Sequence, residues 1–370
     1  MKKIVKQSLV ALAAAGLTFG LVACGDDSSS SAPDEVEVSL MGVVFGTDYT
    51  TGELRWIDKE GNISEKSLSF HQDTKLAVDG ADLYVMERMG ADNISKVDPD
   101  KLESAGKDAV VWQVSLDDGA NPVDMAFSGS NAWVALQNAD SLVQISTKDG
   151  SVTKTIKTGK FAYEGETSPY VADIELNGNT LYVLFQRYTM DAEWNTTYPK
   201  GLLAIYDAKS GELKDTVQLV AKNPTAMTYF DGALYVASLG EYNDSFGTDA
   251  DENRGIEKVN LDKKTSELVV TGEKLGGGIY TFAAEDGIAY VGVYKAWGDV
   301  PFVKVDLSSK KTEKIDGVAD AEGSAFVKNG KVLVGDRSMG AEKVLKYDGS
   351  KVSELESPKG ALAPYSVVLF

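Results

Sequence analysis

Cysteine and histidine are nearly missing from this 370-residue sequence, which contains one of each, Cys24 and His71. A single cysteine excludes a disulfide framework within the chain. A single histidine makes histidine-rich zinc or copper sites and a Ser-His-Asp triad assembled at several positions hard to build. Catalysis therefore has little support, and the candidates that stay open are two carboxylate pairs, Glu164 with Glu166 and Asp191 with Glu193, as acid and base in glycoside cleavage.

Basic residues are also scarce, with 37 Lys and Arg against 56 Asp and Glu and a formal net charge of −19. Binding nucleic acid needs a basic face, so no nucleic-acid partner is expected. An acidic surface suits cations, neutral ligands such as glycans, or other proteins. We expect a glycan or protein ligand, no required cofactor, and a monomer.

The sequence lacks an apolar run long enough to span a membrane. Residues 9–23 are mainly apolar, but the run is short, contains Gly16 and Gly20, and follows three lysines. Such a segment is typical of a secretory signal peptide rather than a transmembrane helix. We therefore assign residues 1–23 to a signal peptide.

Residues 21–24 read LVAC and resemble the lipobox of bacterial lipoproteins. The resemblance implies cleavage before Cys24 and lipid on this cysteine. Gly25 stands where an aspartate would commonly signal inner-membrane retention, so the implied location is the outer membrane, facing either the periplasm or the exterior. Residues 24–35, rich in Ser and Asp, are predicted to be a flexible tether.

The remaining chain, residues 36–370, contains a sixfold repeat of a strand, a tight glycine turn and a second strand with an aromatic-Val pair. Typical examples are MAFSGSNAWVAL (125–136) and TYFDGALYVASL (228–239). A third and a fourth strand follow each pair, as in GELKDTVQL (211–219). Four-stranded repeats with a period of about 40 to 55 residues indicate an all-β fold, the β-propeller.

The two ends of the chain complete a seventh repeat. Residues 41–70 match strands two, three and four of the other repeats, and residues 361–370 (ALAPYSVVLF) match a first strand. We therefore predict a seven-bladed β-propeller whose ring is closed by pairing the C-terminal strand with the N-terminal strands. Closure removes the exposed sheet edges that invite aggregation.

The repeat segments at 120–135 and 223–238 resemble those of YVTN/YncE-like seven-bladed propellers. The resemblance covers nearly all of the chain after the signal peptide. It implies the fold and says little about activity, because this architecture carries both binders and enzymes.

Long loops between strands two and three, and the passage into blade three, carry many aromatic residues. Such loops commonly carry function, and rings flanked by Asp, Asn and Glu suit sugars or protein surfaces. Because consecutive blades are neighbours, we predict one ligand-binding face. Its members are Phe161, Tyr163, Tyr188, Trp194, Tyr198, Tyr242, Phe246, Tyr294 and Trp297.

The segment 249–257 alternates oxygen-bearing residues, Asp249, Asp251 and Asn253, and then adds Glu257. Alternating oxygen ligands suit calcium, although Arg254 stands where an EF-hand-like loop has glycine. Three functions stay open on sequence grounds. They are a lipid-anchored, non-enzymatic binding or scaffold module, a calcium-assisted hydrolase or lactonase, and an outer-membrane assembly scaffold.

Overall fold

The computed structural model describes residues 38–192 and 195–370, which form a ring of seven four-stranded antiparallel sheets, here called blades. The predicted signal peptide, the tether and Cys24 lie outside the described residues. So do Glu193 of the second carboxylate pair and Trp194 of the predicted binding face.

The strands follow one another blade by blade. In chain order the closing blade begins with β1 (Gly42–Thr47), β2 (Gly52–Ile57) and β3 (Leu68–Phe70). Blade one has β4 (Thr74–Asp79), β5 (Asp82–Glu87), β6 (Asn93–Val97) and β7 (Val110–Ser115); blade two has β8 (Pro122–Ser128), β9 (Asn131–Leu136), β10 (Ser141–Ser146) and β11 (Val152–Lys157). Blade three has β12 (Val171–Asn177), β13 (Thr180–Phe185), β16 (Lys200–Asp207) and β17 (Leu213–Lys222), with the hairpin β14 (Thr189–Met190) and β15 (Thr196–Thr197) in its loop.

The second half of the ring repeats this order. Blade four has β18 (Pro224–Phe230), β19 (Ala233–Ser238), β20 (Gly255–Asn260) and β21 (Thr265–Thr271); blade five has β22 (Gly278–Glu285), β23 (Ile288–Tyr294), β24 (Phe302–Asp306) and β25 (Lys311–Lys314). Blade six has β26 (Ala325–Lys328), β27 (Lys331–Asp336), β28 (Lys343–Tyr347) and β29 (Val352–Glu354). The last strand, β30 (Pro364–Leu369), completes the closing blade, which is blade seven in ring order.

Helices are confined to single turns in the described chain: α1 (Leu102–Ala105), α2 (Gly272–Leu275) and the 3-10 turns Pro99–Lys101, Gly106–Ala109 and Gly159–Phe161. Within the described ranges no helix has the length and hydropathy needed to cross a membrane.

The predicted ring closure is confirmed. Strand β30 pairs antiparallel with β1, so that Val368 lies opposite Val43 and Val367 opposite Val44. The ladder continues from β1 through β2 to β3 and completes a four-stranded sheet in the order β3-β2-β1-β30. The last residues of the chain thus form the innermost strand of the blade that the first strands began.

The core lies between neighbouring blades rather than inside one blade. Between blades two and three it contains Trp133, Leu142, Val183, Phe185 and Tyr206, all at most 2% exposed. The second strands are buried on both faces, which explains their nearly continuous apolar sequences. Each large apolar side chain buried in this way contributes about 1.5–3 kcal/mol.

The turns between strands one and two contain two residues each, as the repeat predicts. In blades one to three glycine is the first turn residue, and the preceding Asp, Ser or Asn ends the strand instead of joining the turn. Gly80, Gly129 and Gly178 have φ of +57°, +57° and +58°. In blades four to six an Asp-Gly or Asn-Gly pair fills the turn, with positive φ at both residues: Asp231-Gly232, Asp286-Gly287 and Asn329-Gly330. Both arrangements match the right-handed twist of a hairpin.

Candidate functional site

The central channel opens on the face that carries the loops between strands two and three. At this opening lies a cavity of about 570 Å³ to which every blade contributes lining residues. Seven equivalent positions, six on the innermost strands and one immediately before β26, form its floor, here called the floor ring. In blade order they are Lys75, Asp124, Asp173, Ala226, Thr281, Ser324 and Ser366.

β-bulges place most of the floor ring. The pairing of strands one and two shifts by one residue immediately before Asp124, Asp173, Ala226, Thr281 and Ser366. A bulge leaves one residue unpaired and re-aims its neighbours. The unpaired residues, which include Thr225, Tyr280 and Tyr365, also line the cavity.

Side-chain oxygen atoms of the floor ring bind several blades to the next blade. Those of Asp124, Asp173, Ser324 and Ser366 each accept a hydrogen bond from the backbone N–H that follows the equivalent position of the next blade, whereas the Thr281 hydroxyl donates to the carbonyl oxygens of Ala321 and Gly323. The bonds are Ile174 to Asp124 (3.1 Å), Met227 to Asp173 (2.5 Å), Val367 to Ser324 (2.9 Å) and Leu76 to Ser366 (3.1 Å). The polar channel is therefore part of the ring's structural support.

Acidic groups on the channel wall have unusual titration behaviour. Burial, together with the charge of Asp124 and a hydrogen bond to it, raises the pKa of Asp173 well above its usual range. Burial and the Asp124 charge also raise the pKa of Glu175 to about 7. Burial and a neighbouring carboxylate both disfavour the charged form of Asp173, because its ionisation would place two like charges close together in a poorly solvated site.

Lys75 is the basic member of the floor ring. It lines the cavity and faces Arg88, Asp73, Asp124 and Asp173. In the part of the chain that the structure describes, its ammonium makes no ion pair and no hydrogen bond. Burial, reinforced by the charge of Arg88, lowers the pKa of Lys75.

A belt of side-chain hydrogen bonds surrounds part of the cavity wall above the floor ring. Arg88 donates to Asn121, Asp73 and Gln137 at 3.0–3.2 Å. The belt continues from Gln137 to Gln186 (3.2 Å) and from Gln186 to Asn223 (2.7 Å). Arg88, Gln137 and Gln186 follow their second strands at equivalent positions, so the repeat itself builds the belt.

Five tyrosines line the cavity and its mouth: Tyr188, Tyr198, Tyr242, Tyr280 and Tyr365. Tyr188 stacks on Tyr170 with ring centroids 3.9 Å apart and lies 5.6 Å from Tyr198. Burial raises the pKa of Tyr280 and raises that of Tyr365 to about 12. The rings therefore stay neutral phenols, which can stack, donate and accept.

The aromatic residues predicted from the loops have three kinds of position. Tyr188, Tyr198 and Tyr242 line the cavity. Phe161 packs on Phe185, Tyr163 lies beside Arg187, and Tyr294 packs between Tyr242 and Tyr280. Phe246 and Trp297 are 80% and 65% exposed, outside the cavity lining. The structure thus places three of the predicted rings at one site, while their role in binding stays a prediction.

The residues of the calcium prediction have other partners. Asp249 accepts a hydrogen bond from Asn243, and Asp251 forms an ion pair with Arg254 at 2.8 Å. The buried carboxylate of Glu257 accepts the backbone N–H groups of Val220 and Ala221, while Asn253 donates its own backbone N–H to Asp251. Among the described residues no group of three or more His, Cys, Asp or Glu is placed to hold a metal ion. The calcium prediction gains no site from this geometry.

Sequence reasoning did not find Lys75, Asp124, Asp173, Tyr280 or Tyr365. The first three occupy the same place before the turn in the first three repeats, as an alignment of KLAVDG, DMAFSG and DIELNG shows. Apolar alternation predicts ordinary strand residues at these positions, because the alternating pattern contains no signal for a β-bulge.

Comparison with known proteins supports the fold alone. No protein-family model matches the chain, and no curated protein matches it. Two structures of AztD from Citrobacter koseri, one of them the apo form, cover 90% of this chain and 98% of their own, at 12–13% identity and TM-scores of 0.52 and 0.53. A protein of unknown function from Desulfotomaculum acetoxidans covers 90% of this chain and 99% of its own, at 11% identity and a TM-score of 0.53.

The chain is a seven-bladed β-propeller, by its own ring of sheets and by its likeness to these structures. The resemblance to YVTN/YncE-like propellers and the lipoprotein assignment stay predictions.

Proposed function

We propose that this protein is a non-enzymatic binding module that captures a glycan in the cavity at the channel mouth. The observation that carries the proposal is the combination of five tyrosines with the amide belt around one cavity. Flat rings pack on the apolar faces of sugars, and amides and phenols bond to hydroxyls that both donate and accept.

The hydrogen bonds of the channel carboxylates favour a binding function over a catalytic one. Asp124 and Asp173 both accept backbone N–H groups that hold neighbouring blades together. Moving a proton on or off them during a reaction would disturb these bonds. A hydrolase based on calcium has no supporting cluster among the described residues, and nothing in the geometry favours an assembly scaffold.

We further propose that the module is exported and held at the outer membrane by lipid on Cys24. Supporting this are the LVAC sequence and the Ser- and Asp-rich segment that follows it. Cys24→Ala should abolish labelling with radioactive palmitate and release the protein from the membrane fraction. Persistent labelling of the variant would contradict the assignment.

Glycan binding is tested by calorimetric titration of residues 36–370 with a panel of soluble oligosaccharides. Tyr242→Ala and Tyr198→Ala should each weaken the best ligand about tenfold, because truncation of a tyrosine that contributes strongly to a binding site costs more than about 1 kcal/mol. Trp297→Ala is the matched control, since its ring is exposed on the same side but does not line the cavity.

Absence of binding to every oligosaccharide would contradict the proposal. Equal weakening by Trp297→Ala and Tyr242→Ala would move the site from the cavity to the exposed rim of the loops.

A further inference from the structure

Five of the seven floor-ring residues form two groups: three side chains with a hydrogen to donate to a ligand, here called the donor arc, and a pair of acids. Ser324, Ser366 and Lys75 come from blades six, seven and one, which are consecutive in the ring. Asp124 and Asp173 follow in blades two and three. The donor arc and the acid pair are therefore neighbouring parts of the floor ring, with Lys75 next to Asp124.

The two serines of the donor arc have a hydrogen left to donate. Ser324 Oγ accepts the Val367 N–H at 2.9 Å and Ser366 Oγ accepts the Leu76 N–H at 3.1 Å. A hydroxyl group has one hydrogen in addition to its acceptor capacity. With their oxygens fixed by the backbone, both hydroxyls can turn this hydrogen toward a ligand in the cavity.

The third member of the arc is Lys75, whose ammonium makes no ion pair or hydrogen bond within residues 38–192 and 195–370. The carboxylates that face Lys75 are already engaged. Asp73 pairs with Arg88 at 3.0 Å, and Asp124 and Asp173 accept backbone N–H groups. Burial is the largest cause of the lowered pKa of Lys75 and Arg88 adds to it, whereas the three carboxylates act in the opposite direction. A buried ammonium is stabilised when an anion comes within hydrogen-bonding distance.

We propose that the ligand of the cavity carries a carboxylate group, which binds between the Lys75 ammonium and the hydroxyls of Ser324 and Ser366. This inference rests on the proposed glycan-binding function and specifies its ligand as an acidic glycan, one that contains uronic acid. The sugar rings would lie against the tyrosines, and the carboxylate would reach the floor.

A singly charged group fits this floor better than a doubly charged one. Asp124 and Asp173 follow Lys75 in the next two blades, and Glu175 lies on the same strand as Asp173. A phosphate would bring up to two charges toward these acids. A carboxylate instead offers two acceptor oxygens to the three donors with the smallest added repulsion.

The first experiment observes Lys75 directly in wild-type residues 36–370. The side-chain amine is labelled with ¹⁵N, and its chemical shift and pKa are measured by NMR with D-glucuronate, with methyl glucuronate ester and with D-glucose. Glucuronate should shift the Lys75 signal and raise its pKa, while the ester and glucose should leave the pKa unchanged. No response to saturating glucuronate would overturn the proposal.

The second experiment uses calorimetry with oligogalacturonate and its methyl ester, a matched neutral probe. The wild-type domain should bind the acid about tenfold more tightly than the ester, as expected for a charge-assisted contact. Lys75→Met should reduce this preference to less than about twofold and leave ester binding unchanged. Lys148→Met, an exposed lysine in the β10–β11 turn, should keep the full preference.

These arms separate the two proposals. Equal binding of the acid and the ester by the wild type would contradict the proposed carboxylate site and leave the glycan-binding proposal intact. A Lys75 response to glucuronate without binding of any oligosaccharide would keep the carboxylate site and remove the glycan function. Because the NMR arm needs only the wild type, a variant that failed to fold would not affect it.

Discussion

The two faces of the propeller are made by the same strands but have different surfaces. One face carries the turns that join strands one to two and three to four, here called the hairpin face. The other, the loop face, carries the loops between strands two and three and the passages between blades. In the described connections of the loop face, acidic residues outnumber basic residues by more than two to one. In those of the hairpin face, acidic and basic residues are nearly equal in number.

Exposed apolar side chains show the same asymmetry. Six of the seven loops between strands two and three carry at least one large apolar residue that is 40% exposed or more. These residues are Tyr49, Met89, Met190, Tyr242, Phe246, Trp297 and Met339. The turns between strands one and two carry none among the described residues. Two further exposed apolar residues, Val111 and Val152, lie on fourth strands rather than in a connection. Scattered apolar residues are normal on protein surfaces, whereas groups of them on one face are typical of interaction surfaces.

We infer from this difference that residues of the hairpin face contribute mainly to stability and residues of the loop face mainly to binding. The two-residue turns hold the inner strands in register, so their sequences are constrained by backbone geometry. The longer loops leave the ends of strands that are already paired, so their sequences are free to carry recognition residues. Substitutions on the two faces should therefore affect different properties.

Removal of the C-terminal strand should have the largest effect, because both faces depend on a closed ring. A chain that ends at Gly360 loses the buried Val367, Val368 and Leu369 and exposes the edge of β1. The lost burial alone is about 5 kcal/mol, comparable with the whole stability of many domains. We expect aggregation or a molten chain, measured by circular dichroism and gel filtration.

Deletion of Phe370 alone is the control for this truncation, since the β1–β30 ladder runs from Pro364 to Leu369. That protein should fold and melt cooperatively. A soluble, cooperatively melting chain ending at Gly360 would show that the ring is stable without its closing strand.

The channel between the two faces should make stability depend on pH. The pKa of Glu175 is raised to about 7 in the folded protein, so folding favours its protonated form. This contribution is fully present below the unfolded pKa of about 4.5 and is lost as the pH rises through about 7. Glu175→Gln should therefore gain about 2 kcal/mol relative to the wild type at pH 8 and little at pH 4.

Urea denaturation at both pH values measures this difference. Glu212→Gln, an exposed change in the turn before β17, serves as the control and should leave the pH dependence as in the wild type. An equal effect of Glu175→Gln at pH 4 and pH 8 would argue against titration of this carboxyl as the cause.

A substitution in a hairpin turn should reduce stability and leave binding unchanged. Gly232 has φ of +74°, and a Cβ there would meet nothing within 4 Å, so the only cost is backbone strain. Gly232→Ala should destabilise by about 1 kcal/mol and Gly232→Asn by less, because Asn tolerates positive φ better. Thermal melting and oligosaccharide titration of both variants test the separation, and weakened binding at unchanged stability would refute it.

The smallest effect on stability is expected from Trp297 on the loop face. Its ring is 65% exposed, so Trp297→Ala should change the free energy of unfolding by less than about 0.5 kcal/mol. A fall of several degrees in the melting temperature would instead show that the ring packs against neighbouring loops.

Much of the architecture follows from local sequence. The strand–glycine–strand repeat, the aromatic-Val pairs and the terminal match between residues 361–370 and 41–70 were enough to predict seven blades and their closure. The prediction succeeded because alternation and tight turns are local properties, and the same pattern recurs in every repeat.

The candidate site was only partly predictable. The loops pointed to Tyr188, Tyr198 and Tyr242, but no loop contains Tyr280 or Tyr365, which reach the cavity from bulged inner strands. Exposure also differed among aromatic residues of similar loops. Phe161 packs inward on Phe185, whereas Phe246 is 80% exposed, and these outcomes depend on neighbours from other blades.

The sequence by itself determined the strands, the positions of the turns, the number of blades and the acidity of the surface, because these depend on periodicity, backbone preference and composition. Only the tertiary structure decided that Lys75, Ser324 and Ser366 come together around one channel, and that the Lys75 ammonium has no direct partner among the described residues. These residues come from three blades and are nearly 300 positions apart at the extremes. Ring closure and the bulges bring them together, and neither their distances nor their burial can be calculated from any local segment.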